Sequence, residues 1–218
     1  MGGTTAARSK LETKTRRVAI NGVGTKSAED GGANPSKWEF RDRKKLLYAL
    51  VGNDFGPDPE SRLEEIREYK KNEAKFLLQA LALKAQDRVL DLGSGFGFIA
   101  RVTAPLVERV WCVDISNEFL ECAKGELREF SNVELEQMEF ADLRFLAGKG
   151  INKGYANAVF IHFNFFDIAL YLRELLAIPE PGGVFVFGMS DSDSLDIRSD
   201  RYFGVVLENT RSTADRRC

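Results

Sequence analysis

Apolar and polar residues follow three different patterns along this chain, and each pattern predicts a different kind of element. The first 37 residues hold Gly, Ser, Thr and Ala with seven basic and three acidic side chains, and almost no large apolar residue. Such a segment cannot offset its ordering entropy by burial, so residues 1–37 are expected to form a disordered, mildly basic tail. Over residues 38–85 the spacing becomes helical. Leu46, Leu47, Leu50 and Val51 share one face after Trp38 and Phe40, and "NDFGPDP" stops that helix with glycine and two prolines. A second helix is expected to start with Asp58 as cap, Pro59 at the first helical position, and Ser61 and Glu64 at capping-box spacing. Leu63, Ile66, Tyr69, Leu77 and Leu81 then place an apolar stripe on one face through about Leu83.

From Arg88 onward, short apolar runs alternate with helical ones. "RVLDL", "RVWCVD", "NVELEQM", "ANAVFIHF" and "GGVFVFG" read as strands, and "RYFGVVLEN" as a last strand-like run. Helices are predicted over Phe98 to Val107, Asn117 to Phe130 and "FDIALYLRELLAI". Strands separated by helices require parallel pairing through right-handed crossovers, which makes the fold class α/β with a doubly wound, mostly parallel sheet. Residues 86–218 are expected to hold that sheet. The 38–85 helices would lie as a cover across its carboxyl edge, with Tyr48, Phe55 and Tyr69 turned toward a pocket.

Composition narrows the partners. A chain of 218 residues, 44 % hydrophobic, can bury one core, and a formal net charge of −2 argues against nucleic acid as the partner. Cys112, Cys122 and Cys218 show no ligand spacing, so no metal site is expected. No apolar run approaches the roughly 18 residues of a membrane span and no signal-type segment is visible. A cytoplasmic protein with reduced thiols and no membrane contact is the expectation.

The chemistry begins at "VLDLGSGFGFIA", Val89 to Ala100. A strand runs into glycines at every second position and then into a helix, at the edge where α/β sheets bind ligands. Dinucleotide loops of the form GxGxxG need a third glycine at position 98, where this chain has Phe. The pattern Asp91-Leu-Gly93-Ser94-Gly95-Phe-Gly97 resembles the first motif of the class I S-adenosylmethionine-dependent methyltransferases, acidic-x-Gly-x-Gly-x-Gly. The resemblance implies a Rossmann-like methyltransferase fold with S-adenosylmethionine as cofactor, its methionine end near Asp91 and the loop. It also implies a ribose held by Asp114 at the end of "RVWCVD", with Ile115 beside it. Within "MEFADLRF", Glu139 would meet the adenine amino group and the Phe140 main chain the ring, with Asp142 as the alternative to Glu139. "EPGG", Glu180 to Gly183, resembles the family's turn before the fifth strand.

Acceptor-side residues of the family often follow the fourth strand, here "FIHFNFFD". His162, the chain's only histidine, has a side-chain pKa suited to a general base, although a packed core histidine is an equal reading. Asn164 is a candidate polar contact, and Phe163, Phe165 and Phe166 would wall an apolar pocket or belong to the core. Only thirty residues follow Gly188 (218 − 188), too few for the helix and full antiparallel hairpin that usually complete the family's sheet. An open edge beside the fifth strand, inviting homo-oligomer formation, is therefore expected. The reading is methyl transfer to a small, fairly apolar molecule. The alternatives are a cofactor-binding module without complete catalysis and a nicotinamide-dependent oxidoreductase.

Overall fold

The computed structural model describes residues 42–52, 54–180 and 182–190, together with two further strands, β1 (Arg16–Arg17) and, at the other end, Tyr202–Glu208. Apart from β1, the expected tail lies outside the described residues, as do Trp38 and Phe40. In chain order the remaining elements are α1 (Arg43–Val51), α2 (Leu63–Leu81), β2 (Arg88–Leu92), α3 (Phe98–Thr103), β3 (Arg109–Asp114), α4 (Asn117–Glu126), β4 (Val133–Gln137), β5 (Lys153–Ala156), α5 (Phe165–Leu175), β6 (Val184–Ser190) and β7 (Tyr202–Glu208).

The strands form one sheet in the order β1-β7-β6-β5-β2-β3-β4. All pairs are parallel except β6 with β7. The order reverses at β2, which lies between β5 and β3, so the loop after β2 opens at the switch point of the sheet. One register row crosses the middle: Cys112, Asp91, Tyr155 and Val186 are successive partners on β3, β2, β5 and β6.

Alternation along the strands feeds two cores. Leu90, Leu92, Trp111, Val113, Phe185 and Phe187 pack with Tyr171 and Leu175 of α5 on one face. Val89, Val110, Cys112, Tyr155 and Val186 pack on the other with Ala74, Leu77 and Leu81 of α2 and with α3 and α4. A satellite cluster joins Leu46, Leu47 and Val51 of α1 to Phe55, Ile66, Phe96, Phe98 and Phe119. Thus α2 is an outer-layer helix of the sheet along its second half, and not wholly a cover. Tyr48 and Tyr69 stay largely exposed, and Phe55 is buried in the satellite cluster with its ring edge-on to Tyr69 at 5.5 Å. None of the three aromatic residues is among those lining the cavity at the carboxyl edge of β2 and β3.

Four sequence expectations are corrected. The fourth strand is Lys153–Ala156, ahead of the expected "ANAVFIHF". The chain leaves the sheet where Ala158 takes φ 56, and Phe160–His162 form a 3-10 turn. The capping box before α2 does not form. Asp58 makes no side-chain cap, Pro59–Arg62 is a 3-10 turn, and the Ser61 hydroxyl donates to the Asp58 carbonyl at 2.8 Å. The edge of β6 expected to be open is occupied over its whole length by β7, from Val184↔Glu208 to Ser190↔Tyr202. The β-prone run "YFGVVLE" satisfies that ladder, and self-association through β6 loses its basis. Finally, Arg16–Arg17, expected within a disordered tail, pair in parallel with Val205 and Val206 of β7.

Candidate functional site

The loop after β2 is shaped by glycine. Gly93, Gly95 and Gly97 all lie in the left-handed region, with φ of 67, 53 and 77. Space adds a second requirement. A Cβ on Gly93 would come 2.5 Å from Val159 Cγ2, and one on Gly97 would come 2.5 Å from Leu127 Cδ1. The N–H groups of Gly93 and Ser94 donate to the Val113 carbonyl at 2.7 and 3.2 Å, which folds the loop back over the end of β3.

Two carboxylates meet beneath that loop. Asp91 is 3 % exposed, and the Tyr155 hydroxyl, from its register partner on β5, donates to Asp91 Oδ2 at 3.0 Å. Tyr155 Oη in turn lies 3.2 Å from Thr103 Oγ1 of α3. Burial pushes the Asp91 carboxyl up to about 7. The Tyr155 hydroxyl bond opposes the rise, the Asp114 charge adds to it, and the Ala100 N–H opposes it. At the end of β3, Asp114 Oδ2 accepts the Gly95 N–H at 2.9 Å and Oδ1 the Ser116 N–H at 3.0 Å. Burial raises Asp114 to about 6, against the backbone N–H groups of Ser116, Gly95 and Ile115.

A cavity of about 210 Å³ opens at this carboxyl edge. Of the residues expected from the sequence, Asp91, Gly93, Ser94, Gly95, Asp114, Ile115 and His162 line it. Ile99, Met138, Val159, Ile161 and Phe163 give it apolar walls, and Ala49 and Leu50 of α1 close one side. Ser94 Oγ is buried without a hydrogen-bond partner among the described residues, and Ser94 is one of the residues lining the cavity.

The remaining expected residues sit elsewhere. Gly97 is the N-cap of α3, beneath Leu127. Glu139 is exposed, and its carbonyl accepts the Asp142 N–H at 3.1 Å. Phe140 packs edge-on to Tyr171 at 5.5 Å, and the Arg144 guanidinium holds the Asp142 carboxyl down at about 2. Asn164 caps α5, its Oδ1 accepting from the N–H groups of Phe166 and Asp167 at 2.9 and 3.0 Å. In place of the acidic pair, Met138 reaches the cavity.

Sequence reasoning missed Lys70, Met138, Asn157 and Val159 as cavity-lining residues. Lys70 carried a readable signal: it lies four residues after Ile66 and seven before Leu77, on the buried stripe of α2, where a charge is out of pattern. It is 7 % exposed, and its Nζ pairs with Glu73 Oε2 at 2.7 Å. Asn157 Nδ2, from the turn after β5, donates to the same Glu73 oxygen at 3.3 Å.

Residues 89–183 match the family described as "Methyltransferase domain". Among curated relatives, the chain is 28 % identical over 115 residues to a ribosomal RNA small subunit methyltransferase A of Methanopyrus kandleri, covering 53 % of this chain and 41 % of that one. It is 26 % identical over 129 residues to a protein described as a fatty acid methyltransferase from Pseudomonas putida, covering 58 % and 32 %. The chain therefore spans less than half the length of these relatives. Among solved structures, the Haemonchus contortus phosphoethanolamine N-methyltransferase 1, in complex with phosphoethanolamine and S-adenosylhomocysteine, superposes with a TM-score of 0.55. That match has 16 % identity and covers 69 % of this chain and 33 % of that one. Residues 89–183, which match the methyltransferase-domain family, thus carry the glycine loop at the switch point of a sheet of this order, and over that stretch the chain is similar to methyltransferases.

Proposed function

We propose that the protein binds S-adenosylmethionine in the cavity over β2 and β3 and transfers its methyl group to a small, apolar acceptor. The observation that carries this reading is the pairing of two buried carboxylates, Asp91 and Asp114, with a left-handed glycine loop at the rim of one cavity. When bound, the cofactor supplies a methyl group on a sulfonium, which an acceptor atom attacks in line while the carbon–sulfur electron pair goes to sulfur.

The residues present fit such a group. Asp91 is placed to accept from its ammonium. Asp114 already accepts from three backbone N–H groups, which leaves one of its carboxylate's roughly four acceptor positions for a ribose hydroxyl. Ser94 Oγ offers a further contact from the loop. Ile115, Met138 and Phe163 give apolar surface for a flat base. Phe98, buried at the start of α3, fills the place where a dinucleotide loop would need glycine, which disfavours the nicotinamide reading.

The acceptor side is apolar. Ile161 and His162 line the cavity as well, and beyond them Phe165 and Phe166 stand 79 % and 69 % exposed at the start of α5. Large exposed aromatics beside a cavity are more than scattered surface residues, and they suit the apolar part of an acceptor. An imidazole nitrogen of His162 would take the proton from an acceptor that carries one. Most of the rate would come from orientation, since the displacement needs a held nucleophile more than a base. No helix among the described residues is long and apolar enough to cross a membrane.

The test is calorimetric titration with S-adenosylhomocysteine and NAD in parallel, followed by methyl transfer from labelled cofactor to fatty acids, small amines and ribosomal RNA. Binding of S-adenosylhomocysteine alone, with label on small apolar acceptors, is expected. NAD binding in its place would overturn the cofactor, and label on RNA alone would overturn the acceptor class.

A further inference from the structure

The cavity wall holds one charged side chain that the reading above leaves without a task. Lys70 projects from α2 onto the cavity that Asp91 lines from the sheet. Burying an ammonium is costly unless a partner compensates it, and Glu73, one helical turn away, does so at 2.7 Å. Glu73 is itself fixed from the opposite side by Asn157, another cavity-lining residue. The pair is therefore tied across two elements, α2 and the turn after β5. An ammonium has three donors, and the bond to Glu73 uses one. A lysine serving only helix stability would point its head to solvent, as Lys71 does with Glu68 on the neighbouring exposed face.

Opposite charges on two walls of one cavity match a zwitterion. We propose that Lys70, steadied by Glu73 and Asn157, receives the carboxylate of the cofactor's methionine end while Asp91 receives its ammonium. The two side chains thereby select ligands carrying an intact α-amino acid. This inference rests on S-adenosylmethionine being the cofactor. It adds a requirement which the glycine loop and the two aspartates do not impose, namely that the carboxylate itself is recognised by a side chain from α2. That role also explains why a charged residue stands on the buried stripe of α2 between Ile66 and Leu77.

The experiment compares S-adenosylmethionine with decarboxylated S-adenosylmethionine, which differs only by the carboxylate, in calorimetric titration of the full chain. Wild type is expected to prefer the carboxylated form by about 10- to 100-fold, the range for a hydrogen bond to a charged group. In Lys70→Met the preference should shrink to about threefold or less through loss of affinity for the carboxylated form alone, and Lys70→Arg should restore most of it. Thermal melting of each variant guards against unfolding. If Lys70→Met does not fold, Lys70→Gln and the wild-type ratio decide. Equal binding of both compounds by wild type, or an unchanged ratio in the folded variant, overturns the inference alone. Binding of neither compound by wild type overturns the cofactor reading and the inference with it.

Discussion

The two ends of the cavity are built on opposite principles. At the β2 and β3 end, the Asp91 and Asp114 carboxylates both have internal partners, and the loop glycines are left-handed with no room for a Cβ at Gly93 and Gly97. At the other end, Ile161 and His162 line the cavity from a short 3-10 turn, and past them Phe165 and Phe166 stand exposed at a helix start held by the Asn164 cap. A site that must recognise one invariant ligand gains from preorganisation, because little ordering is left to do on binding. A site that receives an apolar acceptor needs surface more than directed bonds, and exposed side chains supply it. The contrast also separates what is costly to change from what is cheap.

Substituting the glycine loop should break the first end most severely. Gly97→Ala combines a left-handed backbone with overlap against buried Leu127, and a loss of about 2–4 kcal/mol in denaturant unfolding is expected. A stability within 0.5 kcal/mol of wild type, roughly the range of a neutral surface change, would show the loop to be less constrained than its geometry implies. Next comes Asp91→Asn, which keeps the shape and removes the charge. Affinity for S-adenosylhomocysteine should fall about 10- to 100-fold in calorimetry, while melting temperature holds or rises, because a buried carboxylate is replaced by an uncharged amide.

A pH series sharpens the same point. The Asp91 carboxyl is raised to about 7 in the ligand-free protein, so its ionised form, the one we propose accepts the cofactor's ammonium, is lost as pH falls through that value. Affinity for S-adenosylhomocysteine should drop by about tenfold per pH unit below 7. Tyr155→Phe removes a donor that favours the ionised form, and so should move the midpoint upward. 5′-Methylthioadenosine, which lacks the ammonium, should show no such dependence. The same raised value means that the native ligand-free protein binds a proton which the unfolded chain has already released. The contribution of Asp91 to stability therefore declines as pH rises from about 4 to 7, and a flat melting profile over that window would contradict it. The smallest expected effect is at the second end. Phe165→Ser with Phe166→Ser should leave melting temperature and cofactor affinity unchanged and raise the acceptor KM several-fold, and an unaltered KM would remove the acceptor role of the rim.

The same division governs what could be read from the sequence. Strands β2, β3 and β6 and the loop between Leu92 and Phe98 were legible because short, nearly continuous apolar runs and alternating glycines are local signals. Asp91 and Asp114 followed from their places at strand ends. The fourth strand was misplaced because "VFIHF" is as apolar as a buried strand, whereas "KGYA" is short and half polar. What makes the latter a strand is its backbone pairing with β2 on one side and β6 on the other, both distant in the chain. Asn164 looked like a ligand contact, yet its position directly before a helical run is an N-cap signal of the ordinary kind. Lys70 is the opposite case, a charged residue within an apolar stripe, buried because Glu73 one turn on neutralises it, and a stripe of apolar spacing carries no sign of that pairing.

The register row through Asp91 has a consequence for the order in which the protein can be made. As the chain is synthesised, β2, its loop and β3 emerge early and can pair, but Asp91 then lacks the hydroxyl on β5 that faces it and the cavity lacks its second wall. Both arrive only with residues 155–163, and β6 must still cover the outer edge of β5. Because pairing β5 with β2 closes a long stretch of chain, it is also among the slower steps of folding. A nascent chain ending before Tyr155 therefore holds the glycine loop without a working ligand site, so cofactor present during synthesis can stabilise only chains already complete through β5.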